Sequence, residues 1–214
     1  LDGTLIDSVG IWNQVDATLI QQLSKIEVDL NTIQQQRDIQ LKNFRQSPDP
    51  YLEYCGYLNE FYAFKLTKAE VKSRRYSISR YFLDHIVQLK PQAHLLIDAL
   101  KQQGIKLALT TTTSLYNIQR YQDNNTLINS KIDFKNDFSL ILTRENVENI
   151  KPHPEVYLTA LQHFRFKAEE CLIIEDSLIG VEAAKQAGID VIAIYDQYSA
   201  HELEAIKAQA NYFV

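Results

Sequence analysis

Four short apolar runs in the second half of the chain, each preceded by a helical pattern or a turn, restrict the fold more than any other feature. They are Ile105–Leu109, Phe138–Leu142, Cys171–Glu175 and Val191–Ile194. Each is too short for a helix and reads as a buried strand. Helical segments lie between them. Pro91–Gln103 repeats Leu95, Leu96, Ala99 and Leu100 and stops at Gly104; Pro154–Phe164 opens on a proline; Gly180–Ala187 ends at Gly188. Buried strands alternating with helices imply a parallel sheet with right-handed crossovers, an α/β core.

The first half behaves differently. From Ile11 to Leu89 no strand series emerges. Ile11, Val15, Leu19 and Leu23 fall on one helical face, and Thr67-Lys68-Ala69-Glu70 has the form of a capping box before a helix reaching about Val87. Ser47-Pro48-Asp49-Pro50 marks a turn. The expected organisation is therefore a core of residues 1–11 and 88–214, with a helical insert over 12–87.

Bulk properties narrow the function classes. At 214 residues and 45% apolar content, the chain suits one large domain or a domain with an insertion. A net charge of -5 argues against a nucleic-acid surface. No run of about 18 apolar residues exists, so no membrane span is expected. Cys55 and Cys171 are expected to be reduced and buried rather than bridged. These features read together as a cytoplasmic monomer acting on a small molecule.

The chemistry sits at the carboxyl ends of the strands, where open α/β sheets bind ligands. Asp2 lies in Leu1-Asp2-Gly3-Thr4-Leu5-Ile6-Asp7-Ser8; Thr110–Thr113 follows the first run; Lys151-Pro152-His153-Pro154 follows the second; Glu175-Asp176-Ser177 closes the third. Paired acids at a buried strand end are costly unless a cation sits between them. Alone, Asp-Gly reads as a turn, the threonine run as a strand end with Ser114 capping a helix, and Lys151 as a solvated side chain. Without the rest of the pattern, those readings would win.

In that order the four segments resemble motifs I to IV of the haloacid dehalogenase (HAD) superfamily of phosphohydrolases. Its first motif reads Asp-x-Asp-Gly-Thr after an apolar strand. Leu1 matches the x and Asp2 the second aspartate. The attacking aspartate is expected one residue before Leu1, at the end of an upstream strand central to the sheet. The resemblance implies a Rossmann-like core carrying an all-helical C1-type cap inserted after the first strand. It implies that Asp2 is the general acid/base, protonated for the first step, and binds Mg²⁺ through its backbone carbonyl. It implies that Thr111, with Thr110 as fallback, donates its hydroxyl to a phosphoryl oxygen, aided by the Thr112 N–H. Lys151 steadies nucleophile and phosphate; Asp176 is the main metal ligand, with Glu175 beside it. Gly180 matches Glu-Asp-Ser-x-x-Gly.

The implied activity is a Mg²⁺-dependent phosphatase of small phosphorylated metabolites, sugar phosphate or phosphoglycolate-like. A sugar phosphomutase of the β-phosphoglucomutase kind is the alternative. It is disfavoured because Trp12 stands near the position where those enzymes carry a histidine. A HAD-like protein that binds phosphorylated ligands without catalysis is the third reading. In the cap, Trp12, Asn13 and Asp16 are expected to face the substrate entrance. Arg45, Lys65, Lys72, Arg74 and Arg75 are cationic candidates, with Lys72–Arg75 more simply a solvated basic cluster.

Overall fold

A computed structural model describes all residues, 1–214. The chain divides into two compact units: Leu1–Val9 with Val87–Val214, and Gly10–Ile86.

The second unit is entirely helical: α1 (Ile11–Ser24), α2 (Leu30–Asn43), α3 (Pro50–Phe61) and α4 (Lys68–His85). Local chemistry sets the boundaries. Asp29 caps α2, Asp49 caps α3 with Pro50 in the first turn, and Thr67 and Glu70 form the capping box of α4. Leu19, Ile20, Ile33, Tyr54, Cys55, Leu58 and Val71 make its core. Into this core the unit also draws charge. Asp16 is fully enclosed and accepts Arg75 Nε at 2.6 Å and the Tyr54 hydroxyl at 3.0 Å, with Arg37 Nη1 at 3.6 Å. Two sequence expectations fail here. Asp16 and Asn13 are buried within the helical unit, where Asn13 Nδ2 donates to Gln34, rather than facing an entrance. Arg75 is buried against Asp16 and the Trp12 ring, not solvated. A helical face reads as polar in sequence, yet one acid and one arginine on facing helices can bury each other.

The α/β unit contains α5 (Ala93–Gln102), β1 (Ala108–Thr110), α6 (Leu115–Asn124), two single-turn helices α7 (Thr126–Asn129) and α8 (Phe134–Asp137), and β2 (Leu140–Leu142). There follow α9 (Glu155–Phe164), β3 (Leu172–Glu175), α10 (Leu178–Gln186), β4 (Asp190–Ala193), α11 (Leu203–Gln209) and β5 (Tyr212–Phe213). All strand pairings are parallel, in a two-stranded sheet β1-β2 and a three-stranded sheet β3-β4-β5. This is the expected mixed α/β architecture. The strand β5 was not anticipated, because Tyr212–Phe213 is too short to show a period. Leu142, Val156, Tyr157, Val181, Ala184, Val191, Ala193 and Ile206, contributed by strands and by helices α9, α10 and α11, form one buried cluster. Both cysteines are free; Cys55 is buried, but Cys171 is half-buried, against expectation.

Parallel register fixes the rim. Thr110 pairs with Leu142, and the Thr111 N–H donates to Leu142 O at 2.9 Å, so β1 and β2 end together. Glu175 pairs with Ala193, and the Ile194 N–H donates to Glu175 O at 2.8 Å, so β3 and β4 end together.

Candidate active site

Hydrogen bonds across long sequence separations join the strand ends. The Thr4 hydroxyl donates to Asp176 Oδ1 at 2.6 Å. The Thr113 hydroxyl donates to Asp2 Oδ2, and the Ser8 hydroxyl to Asp2 Oδ1. Lys151 Nζ donates to Glu175 Oε1 and reaches Thr110 O at 3.4 Å. The structure thus gathers Asp2, Thr111, Lys151, Glu175 and Asp176 on one rim. Thr112 is exposed beside them.

Close approach demands glycine at two points. Gly3 has φ +75°, and a Cβ there would lie 2.0 Å from Asp176 Oδ2. A Cβ on Gly180 would lie 2.2 Å from the Glu175 carboxyl carbon. The first glycine lets the Asp2 turn press onto Asp176. The second lets α10, capped by Ser177, start directly against Glu175.

Glu175 and Asp176 are neighbours in sequence but not in electrostatic situation. Glu175 has every acceptor position engaged. Oε1 takes Lys151 and the Tyr157 hydroxyl at 2.9 Å; Oε2 takes the Asp176 N–H and the Ser177 hydroxyl, each at 3.2 Å. Burial works to raise its pKa, but the Lys151 ammonium overrides burial and holds the carboxyl at about 2. Asp176 pairs with no side-chain cation. Burial, then the Glu175 charge, push its carboxyl up to about 6. A charge so disfavoured is relieved by a cation, and a hard oxygen donor calls for a hard one. Glu175 anchors Lys151.

The sequence does not single out three further partners. Thr113 holds Asp2, while Thr111 Oγ1 accepts the Thr113 N–H at 3.0 Å and keeps its own hydroxyl proton for a further acceptor. The run of four threonines was the available signal, but it does not say which member points where. Tyr157 lies beneath Lys151, whose Nζ sits 4.7 Å from the ring centroid. Tyr121 is buried beside Ser8 and Asp2, and burial, then the Asp2 charge, raise its hydroxyl well above the usual range. Ser114 does cap α6, so the bland reading of the threonine run also holds. His153 is exposed and engages only the adjacent Glu155.

The chain is similar to several known proteins. A family model described as haloacid dehalogenase-like hydrolase matches residues 1–194. A bifunctional riboflavin kinase/FMN phosphatase of Arabidopsis thaliana is 31% identical over 198 residues, 91% of this chain and 46% of its own length. A phosphorylated carbohydrates phosphatase of Thermotoga maritima is 29% identical over 144 residues, 67% of this chain and 63% of its own. The chain thus spans less than two thirds of either relative. The solved structure of CbbY from Rhodobacter sphaeroides in complex with phosphate superposes with a TM-score of 0.71 at 23% identity, over 100% of this chain and 90% of that one. At that identity the likeness speaks for the fold.

Proposed function

The chain belongs to the haloacid dehalogenase-like hydrolase family, and from that premise we propose that it is a Mg²⁺-dependent phosphatase of small phosphorylated metabolites. One observation carries this reading: Asp2, Lys151 and Asp176 come from distant stretches of chain and meet on one rim, tied through Thr4 and Glu175. The two phosphatases among the relatives point to the same substrate class.

Hydrolysis of a phosphate monoester by a carboxylate must overcome repulsion between anions, so positioning and charge dominate. On this reading the attacking aspartate stands one residue ahead of Leu1. Asp176 and the Asp2 backbone carbonyl would hold Mg²⁺, which neutralises phosphoryl charge when bound. Few carboxylates suffice for that ion, which keeps several waters.

The chain's own groups do the rest. Lys151 spends one N–H on Glu175 and another on Thr110 O, leaving the third for a phosphoryl oxygen. The Thr111 hydroxyl supplies a second donor. Asp2 gives its proton to the leaving alkoxide oxygen, then takes one from the water that attacks the phosphorylated aspartate, so its protonation state is restored. Thr113 and Ser8 orient its two oxygens.

The test is turnover of an aryl phosphate by the full-length polypeptide with and without Mg²⁺. Turnover should need the ion, and Asp2→Asn should remove nearly all of it. Unimpaired activity in that variant would overturn the role of Asp2. A hexose 1-phosphate separates the rival reading, since isomerisation without net phosphate release identifies a mutase.

A further inference from the structure

The chain leaves the α/β unit after Val9 and re-enters it at Val87. Both crossings belong to one short ribbon. The Asp7 N–H donates to Gln88 O at 2.9 Å, the Lys90 N–H donates to Leu5 O at 2.8 Å, and Ile6 forms an antiparallel bridge with Leu89. This ribbon is the continuation of the Asp2-Gly3-Thr4 turn, and Ser8 at its end gives its hydroxyl to Asp2.

Lys90 ties the ribbon to the far side of the rim. Its ammonium pairs with Asp196, 106 residues away, and lies 3.8 Å from Asp7 Oδ1. Asp196 is no surface acid. Its side chain is fully enclosed, and its Oδ1 accepts the Tyr198 N–H at 2.8 Å to cap the short helix Gln197–Glu202. It stands just past β4, in the loop that the Ile194 N–H joins to Glu175 O. An exposed lysine pair contributes little to stability, but a buried carboxylate without its cation is costly. The pairing therefore ties the ribbon to Asp196, and the ribbon leads to Asp2.

We propose that Lys90 is a positioning residue: through buried Asp196 it pins residues 5–8, and with them the Asp2 carboxyl, to the rim that carries Asp176. Lys90 touches no reacting atom. The catalytic consequence rests on the phosphatase reading, whereas the tether does not.

Hydrogen exchange and steady-state kinetics on the full-length protein, with an aryl phosphate and Mg²⁺, test both parts. In Lys90→Met, amides of residues 3–8 should exchange about tenfold faster or more while those of β3 and β4 keep their rates. In the same variant kcat should fall by about tenfold to a hundredfold, as for a misplaced catalytic group, with KM changed less than about threefold. Lys90→Arg should restore exchange and kcat together. Should Lys90→Met fail to fold, Lys90→Met/Asp196→Asn carries the comparison, because it removes the orphaned carboxylate without restoring the tether. Wild-type exchange over residues 3–8 in either untethered variant overturns the proposal, as does unchanged kcat in a folded one. A wild-type protein without turnover defeats the phosphatase reading instead, and the exchange comparison still decides the tether.

Discussion

The two units each bury a carboxylate against a cation and a tyrosine hydroxyl. In the helical unit Asp16 takes Arg75 and Tyr54, and the Arg75 guanidinium lies 5.8 Å from the Tyr54 ring centroid. In the α/β unit Glu175 takes Lys151 and Tyr157, with the ammonium 4.7 Å above the Tyr157 ring. The chemistry is nearly the same, yet the settings differ. Arg75 is a fork that spends itself on both Asp16 oxygens and is flanked by Trp12 and Tyr51. Lys151 is a point charge with a proton to spare, and beside its partner stands Asp176, which pairs with no side-chain cation. Buried charge alone therefore does not mark a site. An acid without a side-chain cation beside a satisfied one is a candidate for such a site.

Breaking each pair should separate the two roles. Lys151→Met should lower turnover of an aryl phosphate by about 10²- to 10³-fold, the usual loss for a group that stabilises transition-state charge. Turnover within threefold of wild type would place Lys151 with the structural cations. Asp16→Asn should act on the fold instead. It orphans Arg75 and should cost about 3–5 kcal/mol in denaturant unfolding of the protein. A loss under about 1 kcal/mol would show that the pair contributes little net stability.

The tyrosines sharpen the contrast at lower amplitude. Tyr157→Phe and Tyr54→Phe each delete a hydrogen bond to a charged group, worth about 1.5–3 kcal/mol. Both should lower stability, but only Tyr157→Phe should also lower kcat, read by parallel melts and assays.

The Asp176 carboxyl gives the pH test. Its folded pKa is raised from 3.8 to about 6, so between those values the metal-free native state binds more protons than the unfolded chain. This group's contribution to stability is therefore present below pH 3.8 and is lost as pH rises toward 6. Melts of metal-free wild type compared with Asp176→Asn should show that slope in wild type alone. Glu175 has the opposite sign. Held at about 2 against a usual 4.5, it adds stability above 4.5 that is lost as pH falls toward 2, a window that meets the Asp176 one only between 3.8 and 4.5. The smallest effect concerns the thiols, one in each unit. Burial pushes Cys55 up to about 11, whereas half-buried Cys171 is raised less by burial and Glu170, so alkylation at pH 8 should label Cys171 first.

Much of this was legible in the residues themselves. Alternating apolar runs and helices specified an α/β fold because strand and helix periods are local properties of the chain. The capping box at Thr67 and the stops at Gly104 and Gly188 are equally local. Asp2, Lys151 and Asp176 could be nominated because their segments resemble the family's motifs and because residues that end parallel strands share a rim. What only the tertiary structure decided was pairing. Which threonine faces Asp2 depends on a contact 111 residues long, and nothing in four identical neighbours encodes it. Whether Arg75 meets water or Asp16 depends on how α1 and α4 pack, 59 residues apart. That Glu175 is saturated while Asp176 is not follows from where Lys151 and Tyr157 arrive on other elements. Period and cap are set by each residue's own backbone and near neighbours, whereas the compensation of a charge is set by whatever the completed fold brings within reach.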